Sequence, residues 1–275
     1  MNVCSETHSP AARKTRVGIK TLLLATLATV LAMPTASAHK TFLASDHSVW
    51  EAGSTVEVSL TSALEFPDIQ FGPAQDRIAF TSVTVGNTTI NDLAFEETET
   101  ALNVSFQPDE IGFSVIAMSA HPRSGEISPE DVAAYFDEIG ADEDVRTAFE
   151  ALPGSPAMMR SYTKHTKLFL CVATCDTGRD AAARPVGQTL EFVAGSAGPR
   201  SFAILRNGEP VAGQSVEIYG TEGNHSTAVS DALGDIHIEA SFAGTILLSA
   251  VWITLPDQPN GTYHSDQATL SVTLP

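Results

Sequence analysis

Four runs in the first 120 residues alternate apolar with polar side chains and favour β-branched types: Ser54–Leu60, Ile78–Val85, Leu102–Phe106 and Gly112–Ser119. A period of two places every second side chain on one face of an extended strand, so each run reads as half of a buried sheet. Gly53, Pro67, Gly72-Pro73, Gly86-Asn87 and Pro108 stand between them, and these residues mark reversals of the chain. Strands of this kind, separated by turns, fold into a β-sandwich or barrel.

One segment breaks the pattern. Ser128-Pro129-Glu130-Asp131 offers an N-cap, a proline for the first helical position and acids for the first turn, and Val132, Tyr135, Phe136 and Ile139 then recur at helical spacing. A second short helix over Ala141–Phe149 precedes Pro153-Gly154, which makes the region near 128–152 a helical insertion. Strand character returns from Tyr162, with Lys167–Ala173 and Thr189–Val193. Gly195-Ser196-Ala197-Gly198-Pro199 has the composition of a linker. Beyond it lie further strands joined by turns at Asn207-Gly208 and Leu233-Gly234-Asp235. The expected architecture is all-β, with two β-sandwich-type domains over 39–194 and 195–275.

Residues 1–38 read differently. Arg13, Lys14, Arg16 and Lys20 precede the apolar run Thr21–Met33, and the small triplet Ala36-Ser37-Ala38 follows Pro34, an order that marks a cleavable signal peptide. Its apolar core is about 13 residues, short of the roughly 20 that a spanning helix needs. Cleavage between Ala38 and His39 would send the mature chain to the periplasm of a Gram-negative cell, with no membrane span after processing. It would also remove four basic residues and one acid from a chain of formal charge −18, leaving −21. A field of that sign repels nucleic acid and admits cations. Cys171 and Cys175, spaced C-x3-C, survive processing. In an oxidising compartment they read first as a disulfide, which requires a turn between them; paired thiols serving a metal and free thiols are the alternatives.

The run R-N-G-E-P-V-A-G-Q-S-V-E-I, followed by S-D-A-L-G-D-I-H-I, is similar to the carboxypeptidase-regulatory-like and transthyretin-like β-sandwich modules, with Leu233 where an acid usually stands. Together with the start A-H-K-T-F-L-A-S, the strand E-A-G-S-T-V-E-V, the E-F-P-D turn, the entry Ser161–His165 and the closing S-D-Q-A-T-L-S-V, nearly the whole mature chain resembles a bacterial periplasmic family of unknown function associated with cobalt or nickel uptake. Phe42 takes the aromatic position near the start. Val251-Trp252 stands where relatives commonly place a histidine, so if that histidine is a ligand in them, its site is altered or absent here.

His39 is the sharpest candidate for chemistry. As a new N-terminus it would present an α-amino group and an imidazole on one residue, and two nitrogens so placed can chelate one transition ion. Nickel, cobalt and copper all accept such donors. Among His47, His121, His165, His225, His237 and His264 no pair has local metal-site spacing, so any cluster must be assembled by the fold. His121, before Pro122 at the end of a strong strand, and His264, after Tyr263, complete the expected metal set of His39, His121 and His264. Catalysis is not expected: no G-x-S-x-G elbow surrounds Ser215 or Ser226, and the acids Glu126, Glu130, Asp131, Asp137 and Glu138 read as a solvated helix face. The expected function is metal binding or metal delivery beside an envelope transporter or outer-membrane receptor. The alternative is a metal-free structural or interaction module of the envelope.

Overall fold

Residues 39–274 are described in a computed structural model of the protein. The signal segment expected over 1–38, including Ala38 at its boundary, lies outside the described residues. Within them the chain is mostly β, with two short helices, and its strands make three sheets.

The largest sheet runs in the order His225–Val229, Ser215–Gly220, Gly244–Thr254, Tyr263–Leu274, Met158–Val172, Gly112–Ala120, Ile78–Val85 and Thr88–Ile90. Val49–Trp50 and Arg123–Ile127 also pair with Met158–Val172. Neighbours along the row are antiparallel except at its middle, where Arg160–Phe169 runs parallel to Tyr263–Val272. A second sheet, Lys40–Ala44, Val56–Ala63, Leu102–Phe106 and Ala94–Glu97, covers one face of this row. A third, built on Leu190–Ala194, Ser201–Arg206, Glu209–Pro210 and Asp235–His237, covers the other.

Strand alternation explains how one sheet serves two cores. In Met158–Val172, Leu168, Leu170 and Val172 enter the core shared with Leu43, Val58, Leu60 and Val104, while Phe169 enters the core shared with Phe192, Ile204 and Leu270. In Gly112–Ala120, Ile116 and Met118 point to the first core and Val115 to the second. Strands covered on both faces lose the apolar–polar rhythm and become buried throughout, as the last eight residues of Met158–Val172 are. Each fully buried aliphatic or aromatic side chain contributes about 1.5–3 kcal/mol through removal from water.

The expected strands Ile78–Val85 and Leu102–Phe106 form over those residues, and the helical insertion forms as Val132–Glu138 and Glu143–Glu150. Ser128 does not cap the first helix. Its hydroxyl donates to Asp131 Oδ2 at 2.6 Å, and Asp131 takes the N-cap position without a side-chain bond to the helix. Both helices pack through Val132, Phe136, Val145 and Phe149 against Met158 and Tyr263, roofing one end of the long sheet. Asn207 and Gly208, both at positive φ, close the two-residue hairpin between Arg206 and Glu209, the backbone that this turn demands.

Cys171 and Cys175 are joined by a disulfide, with Cα atoms 5.2 Å apart. Ala173, at φ 60°, makes the turn that this closure requires. The loop beyond packs on Gly86 so closely that a Cβ on Gly178 would stand 2.4 Å from the Gly86 carbonyl oxygen.

The linker expected at 195–199 closes a hairpin instead. Ala194 pairs with Phe202, and the Gly195 amide donates to the Ser201 carbonyl at 2.8 Å. Strands from both sides of residue 195 share hydrogen bonds, and Tyr263–Leu274 returns to pair with Met158–Val172, so the two sandwiches are layers of one compact unit rather than domains separable at 195.

One ion pair lies inside the second core. Lys167, 1% exposed, donates to Glu191 Oε2 at 2.5 Å and to the Phe192 carbonyl at 2.8 Å, and Glu191 accepts from the Val186 and Gly187 amides. Burial pulls the Lys167 ammonium below its ordinary pKa, and the Glu191 carboxylate opposes that pull. Removing one partner strands the other charge. We predict that Lys167→Met lowers stability by about 3–5 kcal/mol in urea denaturation. A loss below about 1 kcal/mol would mean that the carboxylate is neutralised or solvated on its own.

Candidate functional site

His39 stands directly before the edge strand Lys40–Ala44, and that strand fixes it. Lys40–Ala44 pairs with Val56–Ala63, buries Phe42 and Leu43 on opposite faces, and accepts a 2.7 Å hydrogen bond from Thr269 Oγ1 at the Thr41 carbonyl. Lys164, from the middle strand of the long sheet, reaches across. Its Nζ donates to the His39 carbonyl at 2.7 Å and to Thr41 Oγ1 at 2.9 Å. The His39 ring meets Phe71 edge-on with centroids 4.9 Å apart. Backbone and ring of His39 are thus both held.

Two cavities meet along this segment, and His39, Thr41 and Lys164 line both. The larger, about 610 Å³, has His121, Arg77, Arg123, Tyr162 and Phe71 in its wall. The smaller, about 260 Å³, lies between Lys40 and the end of the first helix at Glu138–Gly140, with Glu217, Tyr219 and Gln267 opposite. His121 is positioned by a reciprocal clasp: its amide donates to the Arg77 carbonyl at 2.8 Å, and Arg77 Nη2 donates to the His121 carbonyl at 2.7 Å.

Lys164 is the most perturbed group here. Burial, reinforced by Arg123 and Arg160 and opposed by Glu138, brings its pKa from 10.5 down to about 8. Across the smaller cavity Tyr219 is pushed up to about 12 by burial and by the Glu217 carboxylate. His225 stacks on that ring with centroids 4.6 Å apart and bonds to Glu217. Lys40 Nζ lies 4.5 Å from the centroid of the same ring, and burial lowers its pKa.

Of the three expected ligands, His39 and His121 share the larger cavity and His264 lines neither. The register gives the reason. His264 pairs with Ser161 and Asp266 with Thr163, whereas Lys164 pairs with Gln267, so His264 projects from the opposite sheet face to Lys164. There Ser161 Oγ is 2.6 Å from its Nδ1, and Asp266 Oδ1 is 3.5 Å from its Nε2. Among the described residues, no three His, Cys, Asp or Glu side chains converge closely enough to hold a metal.

The same face carries a chain of polar groups that sequence reading missed. Ser119 Oγ is 2.9 Å from His165 Nδ1, His165 Nε2 is 3.1 Å from Asp266 Oδ1, and Gln188 Nε2 donates to Ser119 Oγ at 3.1 Å. The residue types are those of a hydrolytic triad. Yet Ser119, His165 and Asp266 are all buried, and Ser119 lines neither of the two cavities along His39. A nucleophile must reach a substrate carbonyl; this hydroxyl ties the central strands together. Lys164, Arg77 and Arg123 were also missed as site residues. They are far apart in sequence, and only Lys164 falls in a run that carries the family resemblance, Ser161–His165.

The architecture defines an all-β protein in which one long sheet serves two sandwiches, with a cavity at the start of its first strand. The profile of a domain of unknown function, DUF4198, matches residues 36–254, and the chain belongs to that family. No curated protein matches it. Among solved structures it is similar to the D0-D1 domain of intimin, at 10% identity and a TM-score of 0.21 over 85% of this chain and 98% of that one. It is also similar to Salmonella α2-macroglobulin reacted with methylamine, at 8% identity and a TM-score of 0.23 over 86% of this chain and 15% of that one. For the fibronectin(III)-like modules of Clostridium thermocellum CbhA the identity is 11% and the TM-score 0.19, over 84% and 94%. Likenesses this distant carry nothing about function.

The lowered pKa of Lys164 has a signed consequence. Between about pH 8 and 10.5 the unfolded chain holds a proton on this amine that the folded chain has released, so stability gains from Lys164 as pH rises through that window. We predict that Lys164→Met removes this gain. Urea midpoints of both proteins at pH 7.5, 9 and 10.5 check it, and parallel curves would place the Lys164 pKa at its ordinary value.

Proposed function

We propose that this is an exported, non-catalytic protein that binds or delivers a divalent transition ion in the periplasm, with His39 as the new N-terminus once the signal segment is removed. Nickel, cobalt and copper are the candidate ions, and a C-terminal layer like the transthyretin-like modules belongs to the same reading. One observation carries it: His39 is fixed in the wall of a cavity that His121 also lines. The freed α-amine and the imidazole of His39 would supply two nitrogens and His121 a third, a donor set that suits borderline divalent ions. The amine is not a side chain, which reconciles this reading with the lack of a three-side-chain cluster among the described residues.

Residues 39–41 leave little slack for this arrangement, because Lys164 holds the His39 carbonyl. Extra residues before His39 would convert the amine to an amide, which is a poor donor. An envelope transporter or outer-membrane receptor is the partner that such a carrier would serve.

We predict that protein beginning at His39 binds one nickel, cobalt or copper ion. Affinity should fall about tenfold or more in a form with one added N-terminal glycine and in His121→Ala, and should not change in His264→Ala. Calorimetric titration of the four proteins reads this directly. Equal affinities for the first three would remove His39 and His121 as ligands.

A further inference from the structure

We infer that Arg77, Arg123 and Lys164 make the larger cavity a site for a small organic polycarboxylate, and that the metal cargo enters it as the chelate of that anion. The inference rests on the proposed function for the ion but not for the anion.

The chain has 33 acidic and 15 basic residues, so cations gathered without acids are the exception on it. Yet Arg77, Arg123 and Lys164 line one cavity with Asp76 as the single carboxylate. None of the three cations has a carboxylate within ion-pairing reach among the described residues. Lys164 is crowded by the positive charge of Arg123. A fold that tolerates such crowding in an acidic protein gains from an anion that relieves it.

The same crowding opposes a bare divalent cation at His39 and His121. A chelate of net negative charge removes the conflict: its carboxylates face the two guanidinium groups, which donate to them in forked pairs, and its metal keeps open positions for nitrogen donors. Arg77 spends one N–H on the His121 carbonyl, so an anion bound there would couple directly to the orientation of that histidine. A volume of about 610 Å³ accommodates a ligand of a dozen or so heavy atoms.

Calorimetry on protein beginning at His39, with citrate alone, nickel alone and equimolar nickel–citrate, tests the inference. Citrate should bind without metal, and nickel–citrate about tenfold or more tightly than citrate. Arg123→Glu and Arg123→Gln should weaken both, Glu more than Gln, with unchanged thermal midpoints, because Arg123 is exposed. Should citrate give no binding and merely strip nickel from the protein, the polycarboxylate site is overturned while the metal reading stands. Should citrate bind and nickel add nothing, the anion site stands and the chelate is overturned; should nickel alone also give no binding, the metal reading falls with it.

Discussion

The parallel pairing of Met158–Val172 with Tyr263–Leu274 holds the molecule together. Parallel neighbours cannot be joined by a tight turn and need a long crossover. Here the crossover is residues 173–262, which contain the entire third sheet and three strands of the long one. Because both faces of the pair are covered, its side chains floor two cores at once, and every backbone donor and acceptor between them depends on sheet partners rather than water.

That arrangement explains which strands were legible beforehand. Ile78–Val85 and Leu102–Phe106 keep the period-two rhythm, and their boundaries could be read from it. Met158–Val172 was legible only in its apolar half. Lys164, His165 and Lys167, in the middle of the strand, look like surface residues, yet His165 and Lys167 are fully engaged inside the protein, by Asp266 and Ser119 and by Glu191 and Phe192. Polar residues whose partners arrive from 24 to 101 positions away in the chain cannot be told from solvated ones by local pattern. The stretch Gly195–Pro199 misleads for a related reason: a hairpin turn and a flexible linker draw on the same small residues, and only the pairing of Leu190–Ala194 with Ser201–Arg206 separates them.

The site was half legible. His39 was singled out by its position at a cleavage boundary and His121 by its place at a strand end, and the fold sets both in one cavity wall. His264 was included although its place after Tyr263 reads as a loop. It lies instead in a strand whose register against Ser161 sends it to the other face, and a register between strands a hundred residues apart leaves no trace in sequence. The arginines at 77 and 123 were invisible for the same reason. Cysteine spacing, by contrast, depends only on the chain between the two residues, and the disulfide that it suggested is present.

The strand Tyr263–Leu274 also acts as a keystone. It sits at the centre of the long sheet, although the whole of residues 173–262 separates it from its parallel partner. Without it Met158–Val172 has an open edge over ten residues, and the halves of the sheet on either side cannot join. Pairing across so long a stretch of chain is slow to form. A polypeptide with this topology cannot complete either core until both central strands have met.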